Sequence, residues 1–476
     1  MPARPVLSPE TLRWLPWVVA IAFFMQSLDG TILNTALPDM ARGLDENPLR
    51  MQGVIVAYML TVALLIPASG WIADRFGTKK IFFSAILLFS LGSLLCAVSG
   101  TLNELIGARV IQGLGGALML PVGRLVVLKA YPRSELVRIM GFITIPGLLG
   151  PLIGPTMGGW MVQYLSWHWI FLINLPVGAF GCWAVWHFIP DLRGNERTRF
   201  DALGFVLFGA AMVFITIAME GLGELHLPHL RVMLLLFAGM ACLAAYWLRA
   251  GNISNPLFSP VLFKTKTFAV GILGNLFARL GSGALPFLVP LLLQVALGYS
   301  PSQAGMSMLP LAGAAMLAKW VARPLIERAG YRTVLTVNTF ALGIMLASMG
   351  LVTEHTPYPL LLGMLAVLGA INSLQFTAMN TVTLIDLDDA SASSGNSLLS
   401  VVAQLSLSLG VACAGALLGG FTGGGGGDGV DTVLGAFQLT FLTVGVRAIL
   451  AAAIFLQLSP QDGRKPKANS EHELEH

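Results

Sequence analysis

Asp29 and Arg109 are ionisable residues set inside long apolar runs, QSLDGTILNTALP and LIGARVIQGLGGA. Burial disfavours a charged carboxylate, so an acid in such a run takes up and releases a proton as its access to water changes. Arginine does not usefully give up its proton, so Arg109 would set how firmly Asp29 holds one, or would bind a substrate anion. The plainer alternatives are a structural ion pair and, for Arg109, a snorkelling or interhelical hydrogen-bonding guanidinium. Arg279, in FARLGSGALPF, is a third deep charge, and Lys319 and Arg447 are less definite in depth. One acid against two arginines gives a cavity of net positive sign. That suits an anionic or zwitterionic substrate better than a lipophilic cation, unless Arg279 simply bonds to helix-end carbonyls.

Weaker candidates surround these. Asn34, Gln112 and Gln404, with Arg279, are expected to line a substrate cavity, although amides inside such runs serve equally well as glue between helices. Gly70, Asp74, Arg75, Gly77, Lys79 and Lys80 crowd one short loop, GWIADRFGTKK. Its glycines would permit a close helix approach and a tight turn, and Asp74 would pair with a base and cap the next helix. Gly150, Gly154 and Gly158 recur every four residues and so share one helix face, with Pro151 and Pro155 weakening the ladder beside them. The pair His226 and His229 has no further ligands, and Cys96, Cys182, Cys242 and Cys413 lie singly in apolar stretches, so no metal site and no disulfide is expected. No nucleophile elbow, HExxH or phosphate-cradling loop occurs, and an enzyme or a cofactor is not expected.

The elements that position these residues follow from composition. Of 476 residues, 55% are hydrophobic and only 11% charged, and the mean hydropathy is +0.77. A soluble domain carries about 25% charged residues. Aperiodic glycine excludes collagen, and four cysteines exclude a disulfide scaffold. What remains is an all-α polytopic membrane protein. Apolar stretches of membrane length lie near 16–37, 52–73, 81–99, 103–129, 137–163, 168–189, 201–220, 230–249, 268–296, 303–324, 332–352, 358–380, 394–420 and 432–457, fourteen in all. The first is too long for a signal peptide and has no small-residue cleavage site after it. Asp29 is then the only acid deep inside a helix, roughly 20 Å into a core of about 30 Å, and Arg109 reaches a similar depth.

Charge placement orients the chain. With the N-terminus inside, the inward segments hold 20 of 28 basic residues, the outward loops hold Arg42, Arg50 and Arg231, and the other five lie in helices. This bias predicts cytoplasmic termini and an even number of spans. The net charge of +4 is thus a topology signal and an attraction to lipid headgroups rather than a nucleic-acid patch. The glycine run Gly423–Gly427 reads as a floppy loop. Asp74-Arg75-Phe76-Gly77 and Glu327-Arg328-Ala329-Gly330 occupy the same loop position in two blocks of six helices. The duplication predicts an N-terminal six-helix bundle at 1–190, two inserted helices with linkers at 191–265, a C-terminal bundle at 266–460 and a cytoplasmic tail at 461–476.

Five ordered motifs give this pattern a family. GWIADRFGTKK resembles the loop signature between the second and third helices of the major facilitator superfamily, and LIGARVIQGLGGA resembles its fourth-helix motif. GLLGPLIGPTMGG, which holds Gly147, Gly150, Pro151, Gly154, Gly158 and Gly159, resembles the antiporter motif of the fifth helix. LDGTILNTALP and WHWIFLINLPVG resemble first- and sixth-helix motifs of the fourteen-helix drug:proton antiporter branch, with His168 where an arginine is common. The resemblance implies a monomeric exporter of small molecules in the bacterial inner membrane, driven by the proton gradient and alternating between inward and outward openings. It gives Asp29 and Arg109 to proton coupling, the loop signature to a latch that stabilises the outward-facing state through contacts between the halves, and the glycine face to a hinge and seal. An exporter of organic anions or metal chelates, such as an iron–citrate or siderophore-type complex, is the alternative, and a non-transporting sensor a remote one.

Overall fold

The computed structural model describes residues 8–193, 200–223, 229–423 and 430–462, and these form helices without a strand. Of the glycine run, only Gly423 lies within the described residues, and the tail beyond Asp462 and His226 lie outside them. Ser8 accepts a hydrogen bond from the Thr11 N–H and Pro9 takes the first helical position, so α1 (Pro9–Ile32) begins nearly two turns before the apolar run. It ends in a 3-10 turn, Leu33–Thr35, and a short α2 (Leu37–Gly43) whose second residue is a proline. There follow α3 (Gln52–Phe76), α4 (Thr78–Ala97), α5 (Leu102–Ala130), α6 (Arg133–Tyr164), α7 (Trp169–Leu172) and α8 (Asn174–Phe188). The inserted pair is α9 (Ala202–Gly223) and α10 (His229–Ala250). The second block comprises α11 (Lys266–Ser282), α12 (Leu285–Leu291), α13 (Pro301–Ser307), α14 (Leu309–Met349), α15 (Tyr358–Ile385), α16 (Asp389–Gly423) and α17 (Val430–Phe455).

Thirteen described helical stretches are long and apolar enough to cross a membrane. One of them, Pro301–Met349, has 49 residues, about 74 Å at 1.5 Å per residue and more than twice a bilayer core. It turns back at Gly330, where φ is +79° and ψ 157°, and so supplies two spans, giving fourteen. Gly77 holds the same conformation, φ +96° and ψ 137°, between α3 and α4. Side chains are essentially excluded from this region of backbone space. Both copies of the acid–Arg–x–Gly loop therefore use their glycine for one geometrical purpose.

The end that carries the basic loops is the one expected to face inward, hereafter the inner end. In the first block α1 packs on α6, and α5 on α3 and α4; in the second, α14 packs on α15 and α17, and α11 on α16. Of the inserted pair, α9 packs on α10, α16 and α3, and α3 packs directly on α16 across the blocks. At the outer end a single apolar core spans both blocks, bringing Ile32, Leu33 and Met40 together with Phe287, Leu288 and Leu292. Towards the other end two cores lie within single blocks, one around Phe82, Val122 and Val126, the other around Tyr331, Met379 and Phe455, while a third joins Ala63 of α3 to Phe208, Tyr246, Phe268 and Leu399. The more extensive of the cores that the halves share lies at the end away from the basic loops.

Candidate functional site

The capping of α5 sets the depth of its arginine. Thr101 accepts from the Glu104 N–H at 3.3 Å, and the Glu104 carboxylate accepts from the Gly100 N–H at 2.8 Å, which fixes the start of the helix and puts Arg109 two turns in, about 10 Å. Asp29 on α1 and Arg109 are both 1% exposed, and Arg109 Nη1 lies 2.7 Å from Asp29 Oδ2. Arg109 Nη1 also donates to Gln112 Oε1 at 2.6 Å, and Nε donates to the Val54 carbonyl at 3.3 Å. Its guanidinium carbon sits 4.3 Å from the centre of the Tyr58 ring. Gln112 Nε2 donates to Asp29 Oδ1 and to Ser93 Oγ at 2.7 and 2.8 Å. Asn174, the first residue of α8, donates to the same two atoms at 3.1 and 3.2 Å. One carboxylate is thus held by three donors from two helices. Taking such a pair out of water costs several kcal/mol per ion, and this hydrogen-bonding shell is what offsets it.

Small residues let α1 and α6 come close enough to shape that pocket. Side chains at Gly147, Gly150, Gly154 and Gly158 would collide with Phe23, Ser27, Thr31 and Ile32 of α1. Pro151 lacks the N–H that would bond to the Gly147 carbonyl four residues back, and Ser27 Oγ donates to that carbonyl at 2.6 Å instead. Gly159 is one residue on, about 100° round the helix, and faces the other block. A Cβ there would stand 2.2 Å from the Pro301 carbonyl oxygen, and one at Gly305 of α13 would stand 2.4 Å from that of Pro155. Thr156 Oγ1 donates to the Gly305 carbonyl at 3.2 Å, the Ser302 N–H to Gln163 Oε1 at 3.1 Å, and Gln294 Nε2 to the Thr35 carbonyl at 2.9 Å. The outer seal is a backbone-on-backbone seam.

Two expectations are corrected. Asp74 does not cap α4: it lies in the last turn of α3 and pairs with Lys129 of α5 at 2.6 Å, while the N-cap position belongs to Gly77 and has no side-chain cap. That pairing stays within one block. The close approach expected at Gly70 is absent, because this glycine is exposed and has no neighbour within 4 Å. Gly77 does face a close neighbour, the Asp191 carboxylate, and residues 190–192 are strapped to Thr78 by three hydrogen bonds of 3.0 to 3.1 Å. Glu220 near the outer end of α9 has a buried Oε1 that bonds to nothing among the described residues, a position at the very edge of the apolar run 201–220.

The remaining candidates lie apart from this cluster. Arg75 lies over Trp71 and Lys79 over Trp186, at 5.5 and 5.3 Å, and Lys80 is exposed. Asn34 is buried in the turn after α1, and Gln404 is half-buried on α16. Arg279 is 4% exposed with its guanidinium carbon 4.0 Å from the centre of the Phe376 ring, and no ion pair reaches it among the described residues. Among the described residues no helix-end carbonyl accepts a hydrogen bond from it. Ser93, Tyr58 and Asn174 carry no signal of chemistry in the sequence, where Asn174 is visible only as a letter of the sixth-helix motif.

The Major Facilitator Superfamily sequence model matches residues 19–411, and matches again over 271–476. The chain is 48% identical over 453 residues to "Putative multidrug resistance protein MdtD" of Pectobacterium atrosepticum, covering 95% of this chain and 97% of that one. It is 52% identical over 411 residues to the protein of the same name from Serratia proteamaculans, covering 86% of each. Among solved structures, a POT family transporter in complex with a thioalcohol-conjugated peptide superimposes with a TM-score of 0.69 at 16% identity, covering 95% of this chain and 97% of that one. A D-xylose–proton symporter gives 0.67 at 13% identity, covering 96% and 100%. At these identities the structures speak for the fold alone.

Proposed function

The chain belongs to the Major Facilitator Superfamily, and from that membership we propose that it is a proton-coupled exporter of small molecules working by alternating access. The observation that carries this reading is Asp29: a carboxylate 1% exposed, deep in the first span, held by Arg109, Gln112 and Asn174. A proton arriving from the outside neutralises Asp29 and leaves Arg109 without its counter-ion. The freed guanidinium charge then opposes retention of a cationic substrate or draws the pocket closed around Gln112. Release of the proton inward restores the ion pair present here, in a molecule sealed at its outer end. Lys129 holds Asp74 within one block in this state, which leaves the loop signature free to latch the blocks only after rearrangement. The working setting is the bacterial inner membrane, with both termini cytoplasmic and the monomer as the transporting unit. The relatives named for multidrug resistance support export, and lipophilic drugs, as the first substrate class to try.

A second reading is favoured by Arg279. A buried guanidinium without a counter-ion among the described residues is a costly feature unless a ligand supplies the charge. An organic anion or a metal chelate would do so. One experiment serves both readings: efflux of a panel of lipophilic cations and of anionic chelates from a pump-deficient strain, with and without a proton uncoupler. The uncoupler is expected to abolish efflux of the true substrate; efflux unaffected by it would overturn proton coupling. Arg279→Ala should weaken transport of an anion about tenfold or more, as removal of one charge-assisted contact does, and spare a cation. Equal effects on both would remove Arg279 from substrate recognition.

A further inference from the structure

We propose that Asn174 is a positioning residue whose side-chain amide turns over each time Asp29 gains or loses its proton, tying α8 to the coupling step. The inference rests on the reading of Asp29 as the proton carrier. Around Asp29 every hydrogen-bonding neighbour is a donor: Arg109 Nη1 to Oδ2 at 2.7 Å, and Gln112 Nε2 and Asn174 Nδ2 to Oδ1 at 2.7 and 3.1 Å. That set fits a carboxylate. A protonated carboxyl carries an O–H that must find an acceptor, because leaving a buried donor unpaired is costly.

Arg109 has no acceptor to offer. Gln112 is locked at both ends: its Nε2 serves Asp29 and Ser93, and its Oε1 already accepts from Arg109 at 2.6 Å. Inverting it would press an amide NH₂ against the guanidinium. Asn174 has no such restraint, since its Oδ1 has no partner among the described residues. A half-turn of the Asn174 amide places that oxygen where Nδ2 now stands, 3.1 Å from Asp29 Oδ1 and 3.2 Å from Ser93 Oγ. There it accepts from the protonated Asp29 and from the Ser93 hydroxyl, whose proton rotates to suit. Both contacts survive the change of protonation, and only their direction reverses.

The other charged or titratable groups near Asp29 are Arg109 of α5, Tyr58 of α3 and Cys96 of α4. On α6 they are confined to the helix ends, on α8 they begin at Cys182, two turns from Asn174, and α7 carries none.

The test is the pH profile of substrate exchange in proteoliposomes carrying the full chain, compared across substitutions of Asn174. Asn174→Ser keeps a group that can both donate and accept, and should hold transport within about threefold of the parent. Asn174→Leu keeps the volume, can do neither, and should cut turnover at least tenfold, about the effect of one lost buried hydrogen bond, with substrate affinity unchanged. Asn174→Asp accepts readily and favours the protonated partner, so its midpoint should move to higher pH by about one unit. Equal loss in the Ser and Leu variants, with no movement of the midpoint in the Asp variant, would reduce Asn174 to packing and overturn the proposal. Asp29→Asn in the same assay separates the two ideas: a pH-dependent Asp29→Asn protein would sink the proton-carrier reading itself.

Discussion

Asp29→Asn is expected to abolish proton-driven transport while substrate still binds. The amide keeps the size of the carboxylate and most of its hydrogen bonds to Gln112 and Asn174, but it neither titrates nor neutralises Arg109. Removing one member of a buried ion pair destabilises by about 3–5 kcal/mol, so poor folding of this variant would obscure the result. The double variant Asp29→Asn/Arg109→Gln removes both charges and leaves no uncompensated ion, and its thermal stability should recover. Exchange driven by an imposed pH gradient should be absent in both variants, while binding measured by substrate-induced stabilisation persists. A folded double variant that still transports against a gradient would show that the protons travel elsewhere, with Glu220 the next acid to examine.

The second large effect is expected at the outer seam. Alanine is the better helix former by about 1 kcal/mol, so Gly305→Ala should not weaken α13 as a helix. Its Cβ would nevertheless stand 2.4 Å from the Pro155 carbonyl oxygen, a rigid backbone atom of the opposite block. Overpacking of this kind costs about 1–3 kcal/mol, which as a bias between two conformations is a shift of about 5- to 150-fold away from the closed seam. A cysteine introduced by Leu288→Cys, buried in the shared outer core, reports on it. Labelling of that cysteine by an impermeant reagent from outside should rise strongly in Gly305→Ala, and transport should fall with it. Gly313→Ala, on α14 with open space around it, should change neither. Unchanged labelling and full transport in Gly305→Ala would mean that the seam is not the gate.

The helices are legible in the sequence because lipid permits little else: long uncharged runs, basic residues at one end, and a repeated loop. Asp29 and Arg109 are legible for the same reason, since so few charges lie at depth that each points to the other. Asn174 is not, because its contact with Asp29 depends on the packing of α8 against α1, which the sequence does not show. Gly159 is legible only as a letter of the antiporter motif, and its contact with the Pro301 backbone is what assigns it to the seam. Asp74 has two plausible uses from its sequence position, pairing and capping. The positive φ of Gly77 decides between them by taking the cap position for itself. The turn at Gly330 can be matched to Gly77 by sequence, but that both hold one strained conformation is a fact of the backbone.

That substrate leaves in exchange for protons carried on Asp29 is tested most directly by proton movement itself. In everted vesicles with an acidic interior, addition of a transported substrate to the medium should discharge the pH gradient recorded by a fluorescent dye. Discharge is expected with the parent protein and none with Asp29→Asn. Substrate accumulation without any discharge in the parent, or equal discharge in the variant, would contradict proton exchange on Asp29.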